Sequence, residues 1–501
     1  MTKKKIFPKL LALSAALLMS GCSMIPTYQR PAAPVADGFP SYASATQPAP
    51  GAAPDAPPAA SVAWQDFFSD ARLKGLIEQS FTNNRDLRVA VLNIEQARAQ
   101  YQIRRADQLP TVNGVLTGSR APSANGGGSS LYNVGLTVTA YELDFFGRVA
   151  SLKEAALAQY LASEEGRKTV QISLISAVAN SYLSVLADEE LLDITRQTLA
   201  TRQESVRLSR LRFDNGVTSE LDFQQAESLL QAAQVAYAQQ QRQRALDENA
   251  LTLLVGQPLA PGVLPSATAG QTVALAQFSP MLDVPAGLPS GLLVNRPDIR
   301  QAEQQLLAAN ANIGAARAAF FPRISLTMGA GSASSHLSEL TKSGSWGWTL
   351  APQLLLPIFD SGRNSAGLDS AKVGRDIAVA QYEKAIQTAF REVADALATR
   401  ATLADQLQAQ QRQANAEAVR FKLSDLRYQN GVASYLDLLD AQRSLFAARQ
   451  AVVQTRLAQL QSQVTLYKTL GGGWKEPLPD AQPATQAAVT TAVSGASSPA
   501  R

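Results

Sequence analysis

The chain has one cysteine, one histidine and few aromatic residues, which make up 6% of its 501 residues. A lone Cys excludes a disulfide framework, and a lone His without a Cys partner excludes the clustered ligand sets of structural zinc sites. The GxSxG elbow, the GxxxxGK[ST] phosphate loop and the HExxH helix are all missing, and with them the common signatures of nucleophilic, nucleotide and zinc-hydrolase chemistry. His336 stands in SASSHLSEL between two strand-like runs and reads as an outer-loop residue, so no catalytic residue and no metal site is assigned. Charge of one sign is scarce as well. Four Lys of the 45 basic residues lie within residues 1–21; without them 41 basic residues face 41 acidic ones, which leaves no reason to expect a nucleic-acid partner. Past that leader no stretch reads as an apolar 18-mer, so a membrane span would have to be made of strands.

The leader is a basic MTKKKIFPK, a short apolar LLALSAALLM and small residues ahead of Cys22. It looks like a bacterial lipoprotein signal at 1–21, with Cys22 as the acylated N-terminus and Ser23 resembling the sorting residue of outer-membrane lipoproteins. The covalent lipid on Cys22 is the only prosthetic group expected, and more than one acyl chain makes such anchoring stable. The alternative is an ordinary secretory signal that happens to contain a Cys. Residues 22–63 are rich in Pro and Ala and read as an extended, lipid-anchored linker that buries little. Residues 475–501 have the same character and read as a disordered tail.

Between these ends the chain is written twice. RLRFDNGVTSELD (210–222) and DLRYQNGVASYLD (425–437) lie 215 residues apart, and Gly147, Gly216 and Gly256 each find a Gly at the same interval. The copies span 64–260 and 297–474, joined by a connecting segment at 261–296. Each reads as strand, strand, long helix, turn, long helix. The strands fall at about 111–120 and 131–142, then 323–333 and 346–356. Tyr132, Val134, Leu136, Val138 and Ala140 alternate with polar or small residues, as do Ile324, Leu326, Met328 and Ala330, and Trp346, Trp348, Leu350, Pro352 and Leu354. One apolar and one polar face suits either a half-buried sheet or a lipid-facing barrel. Lengths near ten residues and aromatic residues near strand ends favour the barrel. Four strands cannot close one, and lipid does not tolerate an open edge, so the barrel must be shared between subunits.

The segments 148–213 and 363–428 are free of proline, and as continuous helices would each reach about 100 Å. Asn-Gly stops each, and Ser219-x-x-Asp222 or Ser434-x-x-Asp437 resembles a capping box that starts the returning helix. The fold class is therefore a membrane β-barrel joined to a long α-helical barrel, with four strands and two long-helix hairpins per chain, whose tips lie at about 213–219 and 428–434.

The motifs LDFFGR, LPSGLLVNRPDI, AAFFPRISL, LPIFDSGR, RYQNGVASYLDLLDAQRSLF and LGGGW resemble those of the outer membrane factor family, over about residues 62–474. The resemblance is closest to the lipoprotein channels that serve drug-proton antiporter (RND-type) efflux pumps. It implies a homotrimer with a twelve-stranded barrel in the outer membrane and a helical tunnel across the periplasm, which meets a periplasmic adaptor protein and an inner-membrane pump. It further implies that aspartates, an arginine and a tyrosine matching Asp437, Asp440, Arg443 and Tyr428 close the periplasmic end. Asp440 and Arg443 fit that gate best, while Asp437 reads equally well as a helix cap. The first copy has Gln225 where the second has Asp440. Arg212, Phe213, Asn215, Gly216, Asn430 and Gly431 stand at the tips an adaptor would grip, although for the Asn-Gly pairs turn chemistry is sufficient. The competing functions are a type I protein-export channel and a lipid-anchored coiled-coil scaffold without flux.

Overall fold

The computed structural model describes residues 23–40, 61–122, 128–264, 275, 278, 281 and 289–474. The leader, Cys22 and the tail lie outside the described residues. In chain order the elements are α1 (Trp64–Phe67), α2 (Ala71–Asn83), α3 (Arg85–Ala106), β1 (Val112–Pro122), β2 (Gly128–Leu143), α4 (Arg148–Asp214), α5 (Glu220–Val255), α6 (Pro289–Asn295), α7 (Pro297–Ala318), β3 (Arg323–Ser334), β4 (Trp346–Leu355), α8 (Arg363–Gln429) and α9 (Tyr435–Thr469). The repeat is thus longer than its strands and hairpin, because α3 and α7 lead into β1 and β3. Those helices hid in the sequence because RDLRVAVLNIEQARAQYQIRRA has charge on every side and no clean stripe.

The four strands form one antiparallel sheet in the order β1-β2-β3-β4. Their register aligns the expected apolar positions. Val112, Val138, Met328 and Leu350 form one row, and Leu136, Ala330 and Trp348 the next. On the other face stand Asn113, Thr137, Gly329 and Thr349, followed by Gly135, Gly331 and Gly347. Between the two repeats, β2 and β3 approach so closely that a Cβ on Gly331 would lie 2.2 Å from the Val134 carbonyl oxygen. Ala140, at φ 52°, makes a bulge after which Tyr141 pairs with Leu326, so the apolar alternation along β2 changes phase there.

Both long helices run unbroken for 67 residues. Each starts on a left-handed glycine, Gly147 or Gly362, and orphan N–H groups of its first turn are met by carboxylates: Asp144 accepts from Ala150 at 2.7 Å and Asp360 from Asn364 at 2.9 Å. One window of α4 is in fact long and apolar enough to cross a membrane, against the expectation that none exists past the leader, but 67% of it is buried in the fold. That stretch forms the core. Tyr182, Leu183 and Val185 pack with Phe67, Leu73, Tyr382, Ile386, Val464 and Tyr467 in a girdle near the middle of the long helices. The Phe67 ring stacks on Tyr467 at 4.0 Å, and the Tyr467 hydroxyl donates to the Val62 carbonyl at 2.7 Å.

The segment after Cys22 departs from its expected character. Residues 24–39 are extended, yet they are docked along α7 and α8. Arg317 donates to the Met24 carbonyl, Asn310 to the Pro26 carbonyl, and Arg30 clasps Glu303 with two hydrogen bonds of 2.7 Å. Ile25 fills the notch at Gly314, where a Cβ would meet it at 2.7 Å, and Phe39 stacks on Phe390 at 5.2 Å. Proline keeps such a strand from forming helix or sheet, but it does not prevent interleaved Tyr, Ile and Phe side chains from docking.

Candidate gate and docking tips

The hairpin tips are built alike. Asn215 closes α4 by donating its backbone N–H and its side-chain amide to the Leu211 carbonyl, Gly216 takes φ 70°, and Val217 N–H returns to the Arg212 carbonyl at 2.8 Å. Asn430, Gly431 (φ 71°) and Val432 repeat the pattern on Leu426 and Arg427. The Asn-Gly pairs therefore have a complete structural role as C-caps. Complete capping boxes follow at Ser219/Asp222 and Ser434/Asp437. The Asp437 carboxylate accepts from the Ser434 N–H at 3.3 Å and so completes the cap. Burial alone would raise the Asp222 carboxyl, but hydrogen bonds from Ser219 and Thr218 hold it below the usual carboxylate range.

One turn into α9 the copies part. Asp440 is gripped by Arg420, which reaches across from α8, and Arg443 on its own helix stands at 3.5 Å. The Arg420 hydrogen bond, more than Arg443, holds the Asp440 carboxyl below its ordinary range, so the clasp survives mild acid. Arg420 also donates to Glu417 at 3.2 Å. The sequence pointed to Asp440 and Arg443 but not to Arg420, whose partner is 20 residues away across a hairpin. Only the turn length and helical phase together could have brought it forward.

Tyr428 lies 5.2 Å from the Tyr435 ring, and the Arg212 guanidinium of the first hairpin sits over its face at 4.9 Å. Ala226, Tyr435, Leu438 and Leu439 form a small buried cluster there, with Phe421 and Tyr428 against it. Tyr428 thus joins the two hairpins within one chain. Phe213 stacks instead on Phe223 of its own hairpin, at 5.9 Å. Val217 and Val432, next to the turn glycines, are 73% and 67% exposed, so each tip presents an unpacked apolar side chain. His336 is exposed at the start of a short turn between β3 and β4.

The family described as "Outer membrane efflux protein" matches residues 76–257 and 288–472. The chain belongs to this family. Family members are channel and transport proteins of the outer membrane, and the same sheet with long helical hairpins recurs among their solved structures. The toluene efflux pump outer membrane protein TtgC of Pseudomonas putida is 48% identical over 471 residues, which cover 92% of this chain and 94% of the relative. Outer membrane protein OprJ of Pseudomonas aeruginosa is 45% identical over 472 residues, 93% of this chain and 96% of that protein. Among solved structures, the open state of the Neisseria gonorrhoeae MtrE outer membrane channel superposes with a TM-score of 0.80 at 41% identity, over 91% of this chain and 99% of that one. The CusC structure gives 0.79 at 40% identity, over 90% of this chain and all of its own. In this outer membrane efflux protein the clasp is one of the places where the second repeat departs from the first.

Proposed function

We propose that the chain is the exit duct of a tripartite efflux pump: a lipid-anchored homotrimer that takes drugs and other small molecules from a periplasmic adaptor and an inner-membrane pump of the RND type. The observation that carries this reading is the sheet. It is apolar on one face and small or polar on the other, and within one chain it ends on two edges, β1 and β4. Every unpaired backbone group at a lipid-exposed edge costs several kcal/mol, so about three sheets laid edge to edge remove a penalty that one sheet cannot. Trp346 and Trp348, 67% and 69% exposed on the apolar face, suit an interfacial belt.

Anchoring through Cys22 is supported by the docked strap. Met24 is held at Arg317, next to the end of α7 and only a few residues before β3 begins, so an acyl chain on Cys22 would start beside the base of the sheet. The exposed Val217 and Val432, flanked by Arg212, Phe213, Asn215, Gly216, Asn430 and Gly431, offer the adaptor two similar grips. Asp440 with Arg420 and Arg443, and Tyr428 with Arg212, hold the periplasmic end closed, while Asp437 caps its helix.

The test is accumulation of a fluorescent cationic dye in cells that lack the protein, complemented with wild type or an empty vector, with and without a protonophore. Wild type lowers accumulation only while the proton gradient stands. Equal accumulation with and without the protein overturns the efflux reading. The related toluene and solvent pumps make small apolar molecules the second cargo to try.

A further inference from the structure

Between α4, α8 and α9, above the tip, lies a cavity of about 180 Å³. Its walls include Phe421, Leu445 and Phe446, and its polar lining includes Arg202, Gln442 and Arg449. Arg202 is the unusual member. It is 4% exposed, and its Nη1 donates to Gln442 Oε1, a neutral acceptor that is itself buried. Among the described residues no carboxylate acts on its charge; burial and the nearby Arg443 both work against it. The Tyr435 hydroxyl, which interacts with the same guanidinium, is buried with no hydrogen-bond partner among the described residues.

A buried cation with no counter-charge costs several kcal/mol, and a guanidinium is shaped to take a carboxylate on two parallel N–H groups. Repeat symmetry does not demand this arginine. At the interval of 215 residues Arg202 matches Glu417, Arg449 matches Gln234, and Phe446 matches Gln231, so both cations and one aromatic wall are special to this cavity. A concave site with apolar walls and a few convergent polar groups is the ordinary form of a small-molecule pocket.

We propose that this cavity binds a small aromatic carboxylate, with the carboxylate on Arg202 and Arg449 and the ring against Phe421 and Phe446. The occupant supplies the missing negative charge and bridges the first hairpin, through Arg202, to the second. The geometry asks for both parts: a bare oxyanion leaves the aromatic walls unfilled, and a neutral ring leaves Arg202 uncompensated.

Calorimetric titration of the detergent-solubilised full-length protein with benzoate, and with benzamide as its uncharged counterpart, tests the assignment. Wild type binds benzoate saturably and benzamide about tenfold more weakly, and sulfate competes with benzoate. Arg202→Gln weakens benzoate by about tenfold and leaves benzamide unchanged. Should that variant fold poorly, Arg449→Ala, at an exposed position, weakens benzoate by about threefold. The proposal is overturned if benzoate and benzamide bind alike, if the variants bind benzoate as wild type does, or if no saturable binding occurs.

Discussion

The two hairpins open on helices of the same length, turn on the same Asn-Gly and restart with the same kind of capping box, yet they are fastened differently. In the second, Arg420 of α8 holds Asp440 of α9. At the matching positions the first has Ser205, whose hydroxyl bonds back to the Thr201 carbonyl, and Gln225. At its tip the ion pairs stay within one helix, Arg207 with Glu204 and Arg210 with Asp214, and the cations there reach other helices over rings, Arg210 over Phe223 and Arg212 over Tyr428. The first hairpin instead has a pair of acids deeper down, one buried and one half-buried. Asp188 of α4 faces Asp247 of α5, where the second repeat has Leu403 and Ser462. Duplication preserved everything that makes a helical hairpin, and divergence put a charge clasp at one tip and two facing carboxyl groups in the other stem.

The largest expected effect comes from cutting the clasp. Asp440→Ala, or Arg420→Ser with Asp440→Gln to copy the first repeat, raises the conductance of the isolated channel in planar bilayers several-fold, while Gln225→Ala leaves it alone. An unchanged closed state in the first variants would remove Asp440 from the gate. Because the Asp440 carboxyl is held low, its contribution is present above the ordinary carboxylate range and is lost only as pH falls through the depressed value. Wild-type conductance should therefore stay flat from neutral pH through mild acid and rise below it.

Next in size is the acid pair. Burial, followed by the neighbouring Asp247 carboxyl, pushes Asp188 up to about 7, although Gln240 donates to it at 2.9 Å and Arg244 lies near. A carboxyl raised above its unfolded value favours the fold most at low pH, and that contribution falls as pH climbs from about 4 to about 7 and is flat beyond. Thermal melts of wild type should show this decline, and Asp188→Asn should flatten it; a parallel slope in the variant would refute the assignment.

Smaller still are the caps. Asp222→Ala and Asp437→Ala should each cost about 1 kcal/mol in unfolding and shift the melt equally. If Asp437→Ala also opens the channel as far as Asp440→Ala does, the carboxylate is a gate as well as a cap. The smallest change is expected for Arg212→Ala, which loses its place over the Tyr428 ring and about 0.5–1 kcal/mol of contact between the hairpins. Increased tip mobility by spin label, with a smaller shift of the melt than either cap variant shows, is the signature.

The features legible in the sequence were those written locally. A left-handed glycine after Asn, a Ser three residues before an Asp, and alternation along ten residues each fix a conformation within a few bonds, and Gly216, Ser434 and the row from Val134 to Val138 all stand where those rules put them. Contacts that depend on how two helices are phased against each other were not legible. Arg420 with Asp440, Arg202 with Gln442 and Arg212 with Tyr428 join residues on different helices, and no short pattern records which will face. The strap over α7 was hidden for another reason. Its Pro-Ala composition describes its backbone correctly as extended, and its burial rests on a few isolated side chains, Ile25, Tyr28 and Phe39, that a compositional average dilutes.

The position of the buried girdle along the long helices has a mechanical meaning. Tyr182 stands near the midpoint of α4, about 50 Å from either end, and Tyr382 and Tyr467, on the helices of the other hairpin, join the same core. Each stem is then a beam resting on a central fulcrum. A tilt of about 5° at the girdle, which needs only sub-ångström repacking there, sweeps a tip through about 4 Å, so the place where an opening force acts and the place where the fold must yield can be far apart.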